Sequence, residues 1–204
     1  MKSRVDGVLL DLLMGVMNSP VTWAAAAGDS TRGLEWRDAV TARMVAADTY
    51  TPYEDLLTDT ASELRLEPHA ATDLVDLWSE MQPWPDAPAI QRLAVPYGFV
   101  TNCSTGLALV AAERSGLAPV FVLSAEEAGW FKPDTRVYLE ACRRLGTRRD
   151  RTAFIAGSAY DAAGARAAGM PTWLVRRREG QAPVSASVTV AASLDEAVDA
   201  VLRW

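Results

Sequence analysis

From residue 97 onward the chain alternates short apolar runs with longer helical stretches, and that alternation leaves few folds open to it. The runs at residues 97–101, 120–123, 152–156 and 172–175 read as strands, and the stretches at about 105–115, 134–145 and 161–168 read as the helices between them. Parallel strands need long crossover connections, usually helices, so this order predicts an α/β fold: a parallel sheet flanked by helices. Residues 5–13, interrupted only by Asp6, Gly7 and Asp11, add a first strand buried on both faces. Residues 14–20 then break into a loop. One block departs from the alternation. Leu34, Val40, Met44 and Val45, then Tyr53, Leu56, Leu57 and Leu64, recur at helical spacing, and Pro68 opens a third helix carrying Leu74, Val75, Leu77 and Trp78. Pro83, Pro85 and Pro88 mark the return crossing. The expected architecture is an α/β core of residues 1–17 and 88–204, with an all-helical cap, residues 18–87, inserted after the first strand.

Half of the 204 residues are apolar, enough to bury a sizeable core. Lys and Arg number 20 against 26 Asp and Glu, a net charge of −6, which argues against a nucleic-acid partner. No apolar run approaches the roughly 18 residues of a membrane span, and no basic, apolar leader opens the chain. A cytoplasmic location is the expectation, with Cys103 and Cys142 as reduced thiols.

In open parallel sheets, ligands bind beyond the carboxyl ends of the strands. Polar residues collect there. The first strand ends at Asp11, the second at Thr101-Asn102-Cys103-Ser104, the third leads to Lys132, and the fourth runs into Gly157-Ser158-Ala159-Tyr160-Asp161. Taken singly, each has a plain explanation: Asp11 a turn residue, Lys132 a solvated loop lysine, Asp161 a helix cap. Their order and shared location instead describe a carboxylate nucleophile with a cationic partner and surrounding donors.

This set, with Phe-Lys-Pro-Asp-x-Arg-Val-Tyr at 131–138 and Ala-Tyr-Asp-Ala-Ala-Gly-Ala-Arg-Ala-Ala-Gly-Met-Pro at 159–171, resembles the four motifs of the haloacid dehalogenase superfamily, most of all its L-2-haloacid dehalogenase branch. The resemblance covers residues 5–17 and 88–178, and more weakly the helical block. It implies a Rossmann-like core in which Asp11 forms a covalent ester that water hydrolyses. Lys132 would keep Asp11 ionised, Thr101 and Asn102 would hydrogen-bond the nucleophile and the substrate, and Asp161 would orient Lys132 or the attacking water. Leu12, Arg37, Asn102, Ser158 and Tyr160 form the implied substrate-binding set. Trp36-Arg37 resembles the pair that carries the cap arginine, with Arg43 as its rival. The implied partner is a small anionic substrate, with no metal, cofactor, nucleic acid or membrane; a homodimer is expected on general grounds.

The departures from the family are informative. Phosphatases of the superfamily carry a proton-donating Asp where this chain has Leu13, and a metal-binding carboxylate where it has Ser158. The dehalogenase branch has Tyr then Gly-Thr where this chain has Leu13, Met14 and Gly15, and Ser and Asn near Ala156, Gly157 and Ser158. The reading is metal-independent hydrolysis of a small 2-haloacid. A Mg²⁺-dependent phosphatase using Asp11, backbone carbonyls and Asp161, and a non-catalytic binding protein, stay open as alternatives. His69 reads as a surface residue, and Trp23, Trp78, Trp84 and Trp130 as residues at the core–cap interface.

Overall fold

The computed structural model describes residues 5–177 and 184–204. Strand β1 (Gly7–Asp11) is followed by four helices in succession: α1 (Ser19–Ala27), α2 (Ser30–Ala46), α3 (Tyr53–Glu63) and α4 (Ala70–Leu77). The alternating part comprises β2 (Tyr97–Thr101), α5 (Thr105–Arg114), β3 (Val122–Ser124), α6 (Ala125–Ala128), α7 (Thr135–Leu145), β4 (Thr152–Ala156), α8 (Ala159–Ala167), β5 (Thr172–Val175), β6 (Thr189–Ala191) and α9 (Leu194–Arg203). The strands form one parallel sheet in the order β3-β2-β1-β4-β5-β6. The first strand is thus central, and its neighbours β2 and β4 carry the two loops that must meet it.

β1 is buried on both faces, as its unbroken apolar character predicts. Val8 and Leu10 join a cluster with the four-helix block, α5 and α9, while Leu9 joins a second cluster with α7 and α8. β4 alternates in the same way, Ala153 and Ile155 to the first cluster and Phe154 and Ala156 to the second. The helical block therefore shares one apolar core with a sheet face. Trp78 reinforces that contact by donating its indole N–H to Leu107 O of α5 at 2.9 Å. Trp36 does the same within the block, donating to Thr60 Oγ1 at 3.0 Å.

Several local expectations need correction. The strand over residues 5–13 is shorter, because residues 12–16 coil into a single wide π-type turn. The loop expected over 14–20 gives way to α1 at Ser19, with Pro20 in its first turn, where a missing N–H costs nothing. His69, not Pro68, precedes the third predicted helix, which starts at Ala70. The strand expected at 120–123 begins at Val122. β6 and α9 lie beyond the last predicted strand and were not anticipated. β6 is short and mostly exposed, but α9 carries a legible signal: Leu194, Ala197, Val198 and Val201 on one face, with Ser193 Oγ accepting from Glu196 N as the cap. Among the described residues, no helix is long and apolar enough to cross a membrane.

Candidate active site

Asp11 ends β1 at the middle of the sheet's carboxyl edge. Lys132 reaches it from the loop between α6 and α7. The backbone of Lys132 is fixed to the loop after β2 by a reciprocal pair: Asn102 Nδ2 donates to Lys132 O at 2.9 Å, and Lys132 N donates to Asn102 Oδ1 at 2.7 Å. The ammonium donates to Asp11 Oδ1 at 2.9 Å, to Asp161 Oδ2 at 2.7 Å and to Val100 O at 3.1 Å, so all three of its protons are used. It is 1% exposed. Tyr138 of α7 donates its hydroxyl to the other Asp161 oxygen, Oδ1, at 2.5 Å. Both Asp161 oxygens are therefore engaged, whereas Asp11 Oδ2 has no hydrogen-bond partner among the described residues, and Asp11 borders a cavity.

These contacts set the charge states. Burial alone would lower the Lys132 pKa, but the Asp11 and Asp161 carboxylates outweigh it and hold it above the usual lysine range. Burial pushes Asp161 up to about 6, against the opposing pull of the Lys132 ammonium. Burial also pushes the Cys103 thiol up to about 12, which leaves it protonated and a poor nucleophile beside Asp11.

The cavity, about 40 Å³, lies between the end of β1 and the helical block. That is space for about three ordered waters on a scale of 10–15 Å³ each, or for a small ligand that displaces them. It is lined by Asp11, Leu13 and Met14 from the end of β1 and the turn after it, by Arg37 of α2 and Tyr53 of α3 from the helical block, and by Tyr160 of α8. The Lys132 ammonium is shared between two carboxylates, which leaves the site net negative without a further cation. Arg37, nearly buried, brings one to the cavity wall, where its Nη1 also donates to Asp38 Oδ1 at 3.3 Å.

The structure brings together Asp11, Asn102, Lys132, Tyr160, Asp161 and Arg37, but distributes their contacts differently from expectation. Thr101 and Asn102 do not bond Asp11. Thr101 Oγ1 pairs with Cys103 Sγ at 3.6 Å, and the Asn102 amide is spent on the Lys132 backbone, although Asn102 borders the cavity. The Leu12 side chain packs into the apolar core, and its place at the cavity is taken by Leu13 and Met14. Ser158 sits at the N-cap of α8, its buried Oγ has no hydrogen-bond partner among the described residues, and it does not line the cavity. Arg43 points outward to Glu63, and His69 is exposed beside Asp73. Of the four tryptophans, Trp23 lines the cavity, Trp78 and Trp84 bond across to the core, and Trp130 lies elsewhere, under Arg136. Two site residues had no role in the sequence reading. Tyr138 follows Lys132 by six positions and is presented by α7. Tyr53 is an apolar-face residue of α3 that opens onto the cavity.

One close approach explains the local sequence. A Cβ built on Gly157 would lie 2.4 Å from Gly15 N, so the loops after β1 and β4 touch backbone to backbone and require glycine there.

The chain is similar to an (S)-2-haloacid dehalogenase of Pseudomonas putida, with 30% identity over 154 residues that cover 71% of this chain and 66%, just under two thirds, of that enzyme. It is 35% identical over 136 residues to a protein named phosphatase MT3486 from Mycobacterium tuberculosis, covering 62% of each. Among solved structures, an L-2-haloacid dehalogenase from Xanthobacter autotrophicus superposes with a TM-score of 0.81 over 97% of this chain and 98% of that one; at 18% identity the likeness concerns the fold alone. The family model described as haloacid dehalogenase-like hydrolase matches residues 5–169. Because that match runs from the start of β1 past the end of α8, and so takes in the whole strand-end cluster, this chain belongs to the haloacid dehalogenase-like hydrolase family.

Proposed function

We propose that the protein hydrolyses the carbon–halogen bond of a small 2-haloacid, using Asp11 as nucleophile and no metal ion. The observation that carries this reading is the Lys132 ammonium lodged between the Asp11 and Asp161 carboxylates. The superfamily's Mg²⁺ would need those oxygens as hard ligands. Here Asp161 has both oxygens engaged, and Ser158 stands where a second carboxylate would be, so the donor set does not fit the ion.

In the first step Asp11 Oδ2 attacks C2 of the substrate. A C–O bond forms as the carbon–halogen bond breaks, and the halide leaves with the bonding pair. In the second, water attacks the ester carbonyl carbon. Its oxygen stays on Asp11, one proton goes to the departing 2-hydroxyacid, and the other goes to solvent. A halide leaves without protonation, so a cavity lined by Leu13 and Met14 lacks nothing it needs. A phosphate ester's alkoxide would need a proton donor that Leu13 cannot be. Lys132 offsets the charge of Asp11 and fixes its Oδ1, and Asp161, itself held by Tyr138, keeps Lys132 in place.

Halide release from 2-chloro-, 2-bromo- and 2-fluoroacids, with and without EDTA, tests the reading. Release from the chloro and bromo acids is expected, unchanged by EDTA, and declining as pH falls through about 6, where Asp161 gains a proton and loosens its hold on Lys132. Mg²⁺-dependent phosphate release with no halide would overturn it in favour of the phosphatase alternative, to which the mycobacterial relative's name points.

Arg37 is the group proposed to bind the substrate carboxylate. Arg37→Lys keeps the charge but loses the planar fork, and is expected to lower kcat/KM by about 10- to 100-fold, the worth of a charge-assisted hydrogen bond of roughly 1.5–3 kcal/mol. Arg43→Lys, at an exposed ion pair with Glu63, is expected to stay within about twofold. Equal kcat/KM for the two variants would remove Arg37 from the site.

A further inference from the structure

We infer that Arg177 and Trp84 are positioning residues that clamp the turn behind the nucleophile, an inference that rests on Asp11 being the nucleophile. The turn over residues 12–16 is wider than an α-helical one, and such single π turns recur at functional sites because they leave backbone groups to be satisfied from outside. Here two successive carbonyls are held by side chains from distant parts of the chain. Trp84 of the return crossing donates its indole N–H to Met14 O at 3.0 Å, and Arg177, just past β5, donates Nη2 to Gly15 O at 2.6 Å. The Trp84 backbone N–H adds a third tie, to Val16 O at 2.9 Å.

The two side chains brace each other. The Arg177 guanidinium lies over the Trp84 ring, 4.8 Å from its centroid. Its Nη1 donates to both Asp86 oxygens, at 3.0 and 2.8 Å, and the nearer oxygen also accepts Leu194 N at the start of α9. The Arg177 side chain is 6% exposed, so the clamp is part of the interior. Its grip reaches the chemistry by a short path. A Cβ built on Gly15 would lie 3.5 Å from Asp11 Cβ, ordinary contact distance, so no more than a methyl group would fit between the backbone that Arg177 holds and the nucleophile's side chain. Attack on a saturated carbon is sensitive to this, since a misplacement of about 1 Å can lower a rate about 100-fold. Neither residue lines the cavity, so neither touches substrate.

The test uses Trp84→Phe, which removes only the indole hydrogen bond, and Arg177→Lys, which keeps the charge beside Asp86 but cannot grip Asp86 and Gly15 O with one rigid fork. Single-turnover halide release with enzyme in saturating excess reads a rate constant that the folded fraction does not alter. The expected loss is about 3- to 10-fold for Trp84→Phe and about 10- to 100-fold for Arg177→Lys, with steady-state KM within about twofold. Hydrogen–deuterium exchange of the amides of residues 12–17 reads the clamp without any substrate. Exchange is expected to rise in both variants while β1 and β4 stay protected. Unchanged rate constants in both variants overturn the inference. If the wild-type protein releases no halide, the dehalogenase reading fails, and exchange alone decides the clamp: unchanged exchange in residues 12–17 overturns it.

Discussion

Asp11→Asn is expected to lower halide release by at least about 10⁴-fold while the protein folds as before, the scale of loss when a catalytic nucleophile is removed. The amide nearly matches the carboxylate in shape, and its oxygen can still accept from Lys132 Nζ at the position that Asp11 Oδ1 occupies, 2.9 Å away. Lys132 keeps Asp161 and Val100 O as partners, so no buried ammonium is stranded. What disappears is the anionic oxygen facing the cavity. The check is initial-rate halide release beside thermal unfolding, with deamidation to Asp excluded by mass spectrometry. Wild-type turnover from an intact Asn variant would refute covalent catalysis by Asp11.

Along the sequence Lys132 looks equally like a solvated loop lysine, and its burial raises the stakes of removing it. Lys132→Met keeps most of the side-chain volume but leaves Asp11 and Asp161 facing each other with no ammonium between them. Breaking a buried ion pair from one side costs about 3–5 kcal/mol, which for a chain of this size lowers Tm by about 10 °C. Activity is expected to fall by more than about 10³-fold, because the ammonium that fixes Asp11 Oδ1 and offsets its charge is gone. The pH dependence carries a sign. Burial raises the Asp161 pKa and the Lys132 ammonium opposes that rise, so without the ammonium Asp161 holds its proton more tightly in the folded than in the unfolded state, and the variant loses stability as pH rises. Its Tm deficit against wild type is therefore expected to be larger at pH 8 than at pH 5. A Tm equal to wild type at pH 8 would contradict the shared-ammonium geometry.

The sheet was legible because its signals are local. β2, β4 and β5 are continuous apolar runs with turn residues at both ends, and each matches its predicted bounds. A strand buried on both faces has to be apolar at every position, so composition alone reveals it. The same locality explains why α1 was missed: its run of small residues, Ala24 to Ala27, has little periodicity, and its start depends on Ser19 and Pro20 following a π turn that no residue pattern announces. β6 was missed because a three-residue edge strand with two exposed positions has no apolar run to show.

Which chemical groups lie beyond the strands can be read along the chain, since Asp11 and Asn102 close or follow apolar runs, Lys132 lies in the loop before α7 and Asp161 in the first turn of α8. The sequence also carried the family, because the motif words persist where overall identity is low. How those groups share their hydrogen bonds came from the fold. Lys132 has three protons and faces three acceptors from β1, β2 and α8, so Asn102 is left to hold its backbone and Thr101 to pair with Cys103. The choice between Arg37 and Arg43 was likewise beyond the sequence. Six residues along α2 correspond to about 600° of rotation at 3.6 residues per turn, so the two side chains leave the helix about 120° apart. Which side meets Asp11 depends on how α2 packs, and the buried Trp36, Val40 and Met44 turn Arg37 inward and leave Arg43 in solvent beside Glu63. The clamp of Arg177 and Trp84 lay furthest from view, because its contacts join residues 70 and 162 positions apart in the chain, a proximity set by the parallel sheet and by no local pattern.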